Sequence, residues 1–174
     1  GRRGGWSSSS GRGWANLSNA PFRMYKRYTH EGGVATPLIV HWPAGMKAKG
    51  ELRHAPGHLI DIAPTCLAAA GLEGKGMEGQ SLLPVFARDQ KQARTLYWEH
   101  EGNRAVRKGD YKLVAIHNTP WELYDMSKDR SELKNLSSAM PKKTKELRTA
   151  YEAWAKRVGA KPWDEVNVKK KKKK

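Results

Sequence analysis

The 174 residues carry a formal net charge of +16, and six of those charges belong to the terminal run Lys169–Lys174. A single cysteine, Cys66, excludes an internal disulfide, and no apolar stretch is long enough to cross a bilayer. Leu, Ile, Val and Phe together number only 28, a thin supply of core side chains for one domain, so we expect a piece of a larger domain whose neighbours complete the core.

The first half of the chain is predicted to contain a loop, a strand and a helix. Residues 1–19 are rich in Gly, Ser and Arg and show no period, which predicts a long loop. The run Leu38–Trp42 is short, apolar and bounded by prolines, which favours a buried strand. Asp61 to Gly71 predicts a helix with Asp61 as its N-cap and Gly71 at its end.

From Arg94 onward the pattern changes to short strands followed by one helix. Pro141–Val158 is amphipathic, so we expect its apolar face to cover one side of the sheet that the strands form. The lysine tail is expected to be disordered, either as a solubilising segment or as one that adheres to phosphate backbones or anionic membranes. The predicted strands, with a hairpin turn at Lys108–Asp110 between the second and third, are Thr95–His100, Asn103–Arg107, Tyr111–His117 and Trp121–Tyr124.

The residues from Asn19 to Gly33 form the most informative motif. An Asn-Ala-Pro-Phe-Arg run ends at Arg23, Lys26 follows, and Glu31-Gly-Gly begins five residues after the lysine. This segment resembles the second signature region of the sulfatase family, and the resemblance runs from about residue 13 to residue 160. The further matches, in the family's order, are Trp42-Pro43, Asp61–Thr65, Trp98–Arg107, Gly109–Leu113, Glu122–Asp125 and Leu133–Leu136.

The resemblance implies an α/β fold class in four parts. Residues 1–19 would be a loop, and residues 20–92 would be the C-terminal piece of the sulfatase catalytic domain, with a partial alkaline-phosphatase-like mixed sheet layer. Residues 93–163 would form a small C-terminal antiparallel sheet packed by one amphipathic helix, and residues 164–174 a disordered Lys-rich tail. Because the mixed sheet would lack its other strands, we expect residues 94–160 to hold their shape better than the preceding part.

Lys26 matches the family lysine that contacts the substrate sulfate, and it is the predicted catalytic residue. A cation there would neutralise charge on the sulfuryl oxygens and on the departing oxygen, whereas the alternative is a solvated surface lysine. Arg23 is a candidate substrate-binding residue, although an internal ion pair with Glu31 or another carboxylate competes with that role. His100 is the second substrate-binding candidate, against a structural histidine. Residues 31–33 are expected to shape the backbone rather than to perform chemistry.

The resemblance also implies a calcium ion and a formylglycine, which is made from Cys or Ser in a Cys/Ser-x-Pro/Ala-x-Arg motif. This chain contains neither that motif nor the family's Asp-Asn metal pair, so we predict no metal ligand in it. Cys66 does not fit the motif and is predicted to be a small buried packing residue. Without nucleophile and metal, we expect the chain by itself to be inactive.

We therefore predict the C-terminal portion of an arylsulfatase-like sulfuric ester hydrolase acting on sulfated sugars or aryl sulfates, periplasmic or secreted in its full-length form. The alternatives are a basic binding module for nucleic acid or an anionic polysaccharide, and a truncated product that folds poorly. A nucleic-acid binder needs basic residues and aromatic rings interleaved on one folded face, whereas the densest basic run here is terminal. No specific nucleic-acid partner is predicted, and the oligomeric state stays open.

Overall fold

The computed structural model describes residues 11–47, 49–90 and 94–167. The chain divides into two compact units. We call the described residues up to Thr36 together with those from Thr95 onward the sheet unit, and Pro37–Arg94 the middle unit. The elements in chain order are α1 (Arg12–Leu17), α2 (Glu31–Val34), a 3-10 turn (Leu59–Asp61), α3 (Ile62–Ala69), α4 (Leu83–Ala87), β1 (Thr95–His100), β2 (Asn103–Lys108), β3 (Tyr111–Ala115), β4 (Glu122–Asp125), α5 (Pro141–Val158) and α6 (Trp163–Val166).

The four strands of the sheet unit form an antiparallel meander in the order β1-β2-β3-β4. Two-residue turns join the first three strands, because His100 pairs with Asn103 and Lys108 pairs with Tyr111. Gly109 has a φ of 59°, as a tight hairpin turn requires. The predicted strands and the predicted hairpin are therefore confirmed, with ends that shift by one or two residues.

Helix α5 covers one face of this sheet, as the amphipathic pattern predicts. Proline begins the helix at Pro141, where its missing N–H has no partner to lose, and Gly159 ends it with a left-handed φ of 70°. The ring of Trp154 stacks on that of Tyr97 in β1, with centroids 5.0 Å apart. The fully buried side chains of this core are Val106, Leu113, Leu123 and Leu147. Burial of each contributes roughly 1.5–3 kcal/mol.

The opposite face of the sheet meets the segment that carries the sequence motif. Side chains alternate between faces along a strand, so Lys112 and Val114 lie on the side opposite Leu113. Lys112 is fully buried there and forms an ion pair with Glu31 of α2. The sheet is thus covered by α5 on one face and by the motif segment on the other.

The middle unit contains α3 and α4, and several of its polar contacts converge on the carboxylate of Asp61. The predicted helix is confirmed as Ile62–Ala69, with Gly71 following at a φ of 74°. Asp61 occupies the predicted N-cap position, but its side chain does not cap α3: the carboxylate accepts the N–H groups of His58 and Gln80, at 2.7 and 3.0 Å, and pairs with Arg94. These three contacts fix the residues before α3 rather than its first turn.

The predicted strand at Leu38–Trp42 is wrong. The segment has no strand structure, and Ile39 is 90% exposed. A buried strand needs a neighbour for its backbone groups and an apolar layer for its side chains. The described strands pair only with one another, so this run finds neither.

Three other predictions also change. Cys66 is exposed rather than buried. Within the predicted loop 1–19, Arg12–Leu17 form a short helix, and side chains bond back to its carbonyls, as Asn16 does to Arg12 and Asn19 to Ala15. The first ten residues and most of the predicted Lys-rich tail lie outside the described residues, but the helix Trp163–Val166 extends into the start of that tail, so residues 164–166 are helical rather than disordered. No helix in the described ranges is long and apolar enough to span a membrane.

Candidate active site

Lys26 lies exposed on a loop whose backbone turns sharply on either side of it. Met24 has a φ of 67° and Arg27 a φ of 101°, both in the region that side chains other than glycine rarely adopt. Among the described residues, no carboxylate lies within ion-pairing distance of the Lys26 ammonium group. The loop therefore presents a lysine whose charge the surrounding described residues do not neutralise.

Two glycines allow the loop to fold back on α2. A Cβ atom added to Gly32 would overlap the carbonyl oxygens of Arg23 and Met24, and one added to Gly33 would overlap the carbonyl oxygen of Tyr28. Any other residue at either position would push the loop away from the helix. The predicted backbone role of these two glycines is confirmed.

A buried cluster of charges fixes the C-terminal end of the same loop. The Lys112 ammonium nitrogen lies 3.0 Å from Glu31 Oε1 and 2.8 Å from Glu132 Oε1. Glu132 Oε2 accepts the backbone N–H of Glu31 at 2.8 Å, and Arg130 lies 3.3 Å from Glu31 Oε2. Burial acts to raise the pKa of Glu31, but the cations Lys112 and Arg130 outweigh it and hold this pKa below its ordinary value.

Arg23 fixes the N-terminal end of the loop to β4. One guanidinium nitrogen donates to the Tyr124 hydroxyl at 3.0 Å and to the Glu132 carbonyl oxygen at 2.8 Å, and lies 3.6 Å from Glu122 Oε2. The competing prediction of an internal ion pair is therefore confirmed for this nitrogen, with Glu122 as the partner. The substrate-binding role of Arg23 stays a prediction.

Glu122 has its own cluster of donors beneath Arg23. Its Oε2 accepts the Tyr124 hydroxyl at 2.5 Å and lies 3.3 Å from Nε2 of the buried His30. The hydrogen bond with His30, followed by those of its other partners, lowers the pKa of Glu122 to about 2. Burial and the neighbouring carboxylate raise the pKa of Tyr124, so the phenol stays protonated and donates.

His100 is exposed at the end of β1, beside the loop that carries Lys26. The link between the two is the side chain of Asn103, whose amide nitrogen donates to the carbonyl oxygens of Arg27, at 3.1 Å, and of His100, at 2.9 Å. Arg27 also forms an ion pair with Glu101 at 2.6 Å. The structure thus brings the backbone of one predicted site residue, His100, and that of Arg27, the neighbour of Lys26, to one side-chain amide.

Lys112, Glu132 and Asn103 are the site-forming residues that the sequence patterns missed. The one available signal was a lysine at position 112, in the middle of a strand with apolar side chains after it, where a charge requires a buried partner.

In the ranges that the structure describes, no group of three or more His, Cys, Asp and Glu side chains is arranged to hold a metal ion, so the described residues do not fit a calcium ion.

The family model described as N-sulphoglucosamine sulphohydrolase, C-terminal, matches residues 22–156, which include all of the contacts above. The chain belongs to the sulfatase family. This confirms the predicted family, and the match corresponds to the C-terminal portion of a sulfatase.

Curated sulfatases support the assignment. An uncharacterized sulfatase of Schizosaccharomyces pombe is 32% identical over 151 residues, covering 77% of this chain and 27% of its own length. The N-acetylgalactosamine-6-sulfatase of Mus musculus is 33% identical, covering 69% and 24%, and the N-acetylglucosamine-6-O-sulfatase of Bacteroides thetaiotaomicron is 33% identical, covering 70% and 25%. The chain therefore spans about a quarter of the length of these sulfatases.

Solved structures agree in fold. The crystal structure of Ps i-CgsB matches with a TM-score of 0.70 and 25% identity, covering 80% of this chain and 34% of that one. A Bacteroides thetaiotaomicron protein from a locus for the metabolism of multiple glycosaminoglycans matches with a TM-score of 0.65 and 22% identity, covering 76% and 31%. These matches confirm the mixed α and β fold class that the resemblance implies.

Proposed function

We propose that this chain is the C-terminal portion of a sulfuric ester hydrolase in which Lys26 binds the sulfate group of the substrate. The observation that carries the proposal is an exposed lysine without a carboxylate partner among the described residues, on a loop fixed at both ends, by half-buried contacts of Arg23 and by the buried ion pair of Glu31. A cation held in place before the substrate arrives stabilises developing negative charge without reorganisation.

The substrate class that we propose is a sulfated amino sugar within a glycan. Two of the matched relatives are named for 6-sulfated N-acetylhexosamines. His100, exposed beside the Lys26 loop, would donate or accept a hydrogen bond at the sugar, and Arg23 would add charge at the edge of the same site. An aryl sulfate is the simpler alternative substrate.

The remaining chemistry is assigned to the rest of a complete sulfatase. The family resemblance implies a formylglycine nucleophile and a calcium ion, and we propose that residues outside this chain supply both. The described residues would contribute a cation for the sulfate and a rigid support for it. An exported protein, periplasmic or secreted, is the location that the same resemblance favours.

The contacts within the sheet unit argue against the alternative of a basic nucleic-acid-binding module. Such a module needs exposed aromatic rings interleaved with free cations. Here Tyr97 stacks on Trp154, and Trp121 packs edge-on against Tyr151, so these rings form the contact between sheet and helix. Lys112 is buried between carboxylates rather than available to a phosphate.

The test is a Lys26→Ala substitution in the natural gene product that contains this chain. We expect kcat/KM for 4-nitrophenyl sulfate and for a 6-sulfated N-acetylhexosamine to fall by roughly 10²–10³-fold, because one anion-stabilising group is removed. Lys128, 83% exposed, supplies the control Lys128→Ala, which should leave turnover unchanged. Equal turnover by Lys26→Ala and the natural protein would overturn the proposal.

A further inference from the structure

Asn103 occupies a position that no motif assigns to the chemistry. It is the first residue of β2 and is only 3% exposed. Its amide nitrogen donates to the carbonyl oxygens of Arg27 and His100, and its Oδ1 accepts the backbone N–H of His117 at 3.2 Å. Both amide protons and the oxygen are therefore used, and each binds the backbone of a different segment.

Two of the three segments that Asn103 joins contain a residue in an unfavourable backbone conformation. Arg27 has a φ of 101° and Glu101 a φ of 51°, and neither is glycine. Residues remain in this region only where surrounding contacts determine the conformation. The contacts here are the ion pair between Arg27 and Glu101 and the hydrogen bonds of the Asn103 amide on either side of it.

We propose that Asn103 is a positioning residue for Lys26. Its amide fixes the carbonyl group of Arg27, the residue directly after the lysine, and so fixes the backbone from which the Lys26 side chain projects. The second hydrogen bond fixes the His100 carbonyl group and sets the spacing between the lysine loop and the β1–β2 turn. Asn103 does not touch the substrate in this arrangement. The inference rests on the proposed function of Lys26.

Asn135 provides a matched control. Its Oδ1 accepts the backbone N–H groups of Leu123, at 3.0 Å, and Ser137, at 2.9 Å, so it also joins two backbone segments of the sheet unit, but it bonds no backbone group of the loop that carries Lys26. In the natural gene product, we expect Asn103→Ala to lower kcat for sulfate-ester hydrolysis roughly 10–100-fold, because misplacement of a catalytic group by about 1 Å has that effect. Asn135→Ala should lower thermal stability. Its kcat should equal that of the natural protein when both are measured well below the melting temperatures of the two proteins.

An aspartate separates the two roles of the Asn103 side chain. Asn103→Asp keeps an oxygen to accept the His117 N–H group but loses both donations to carbonyl oxygens. If positioning depends on those donations, this variant should be as slow as Asn103→Ala. Natural kcat in Asn103→Asp would overturn the inference.

A double-mutant cycle then tests whether Asn103 acts through Lys26. If it does, Lys26→Ala with Asn103→Ala should turn over as slowly as Lys26→Ala alone, whereas independent effects would multiply. Multiplied effects would overturn the positioning role and leave the proposed role of Lys26 intact.

Hydrogen exchange at residues 24–28 gives a readout that does not depend on activity. Relative to the natural protein, we expect faster exchange there in Asn103→Ala and an unchanged exchange rate in Asn135→Ala. An unchanged exchange rate in Asn103→Ala would overturn the inference. If Lys26→Ala retains natural activity, the proposed function of Lys26 fails. In that case, faster exchange in Asn103→Ala would still support the contact between loop and turn.

Discussion

The sheet unit and the middle unit use their apolar residues differently. In the sheet unit, the side chains between sheet and α5 are excluded from solvent, with Leu113 and Leu147 both 0% exposed. In the middle unit, Leu52 is 79% exposed and Leu59 84% exposed. The sheet unit thus forms its own core, whereas the described middle unit leaves large apolar side chains in water. Since apolar burial is the main source of stability, we expect the sheet unit to be the more stable of the two.

Each unit also contains a buried carboxylate with a cation, but the setting differs. Lys112 lies between two carboxylates next to an apolar core, so its ion pairs join α2, β3 and the segment after β4. Asp61 joins the 3-10 turn to Gln80 and Arg94 in a unit with few buried apolar side chains. Loss of the Lys112 ion pairs should therefore lower the stability of the whole sheet unit, whereas loss of the Asp61 contacts should loosen only the middle unit.

The largest expected effect is that of Lys112→Met. The change leaves Glu31 and Glu132 buried without their shared cation, and breaking such a pair costs about 3–5 kcal/mol. Urea unfolding followed by tryptophan fluorescence measures the loss. Lys128→Met, at an exposed position, should change the free energy of unfolding by less than about 0.5 kcal/mol. Similar losses in the two variants would contradict the structural role of the buried lysine.

Asp61→Asn tests the middle unit. The amide keeps the size of the side chain but loses the charge that pairs with Arg94, which should cost about 2–3 kcal/mol. Hydrogen exchange should accelerate in α3 and α4 while β1–β4 and α5 keep their protection. The control is Asp89→Asn, because Asp89 is exposed and also accepts two backbone N–H groups, those of His54 and Ala55. Equal acceleration in both units would show that they open together.

The sequence predicted the parts of the fold that depend on local patterns. Helix α5 begins and ends where the prediction placed it, because its proline, its apolar spacing and Gly159 all lie within one segment. The β2–β3 hairpin follows from Gly109 for the same reason. Leu38–Trp42 failed because a strand also needs partners, which a local pattern does not contain.

The candidate site was predicted only in part, for the same physical reason. The spacing of Lys26 and Glu31 is local and visible in the motif. The contacts that support them are not: Lys112 reaches Glu31 across 81 residues, and Asn103 reaches Arg27 across 76. A single sequence does not reveal which distant side chain will satisfy a buried charge or a strained carbonyl group.

The smallest effect that we expect is a loss of folding stability at low pH, on the side of the sheet unit that faces the Lys26 loop. The pKa of Glu122 is lowered from its ordinary value of 4.5 to about 2, chiefly by the hydrogen bond with His30. A depressed pKa in the folded state stabilises the fold above the unfolded pKa, and this contribution is lost as the pH falls from about 4.5 through about 2. The shift corresponds to about 2 kcal/mol after allowance for the partial exposure of Glu122.

Glu122→Gln isolates this contribution, because the amide oxygen still accepts the Tyr124 hydroxyl while the titrating charge is gone. The stability advantage of the natural chain over this variant should be present at pH 5 and should shrink steadily between pH 4.5 and pH 2. Glu31 and Asp61, whose pKa values are also lowered, titrate in both proteins and cancel in the difference. Urea unfolding at half-unit pH steps measures it. If the two stability curves ran parallel down to pH 2, the charge of Glu122 would contribute nothing to the stability of the fold.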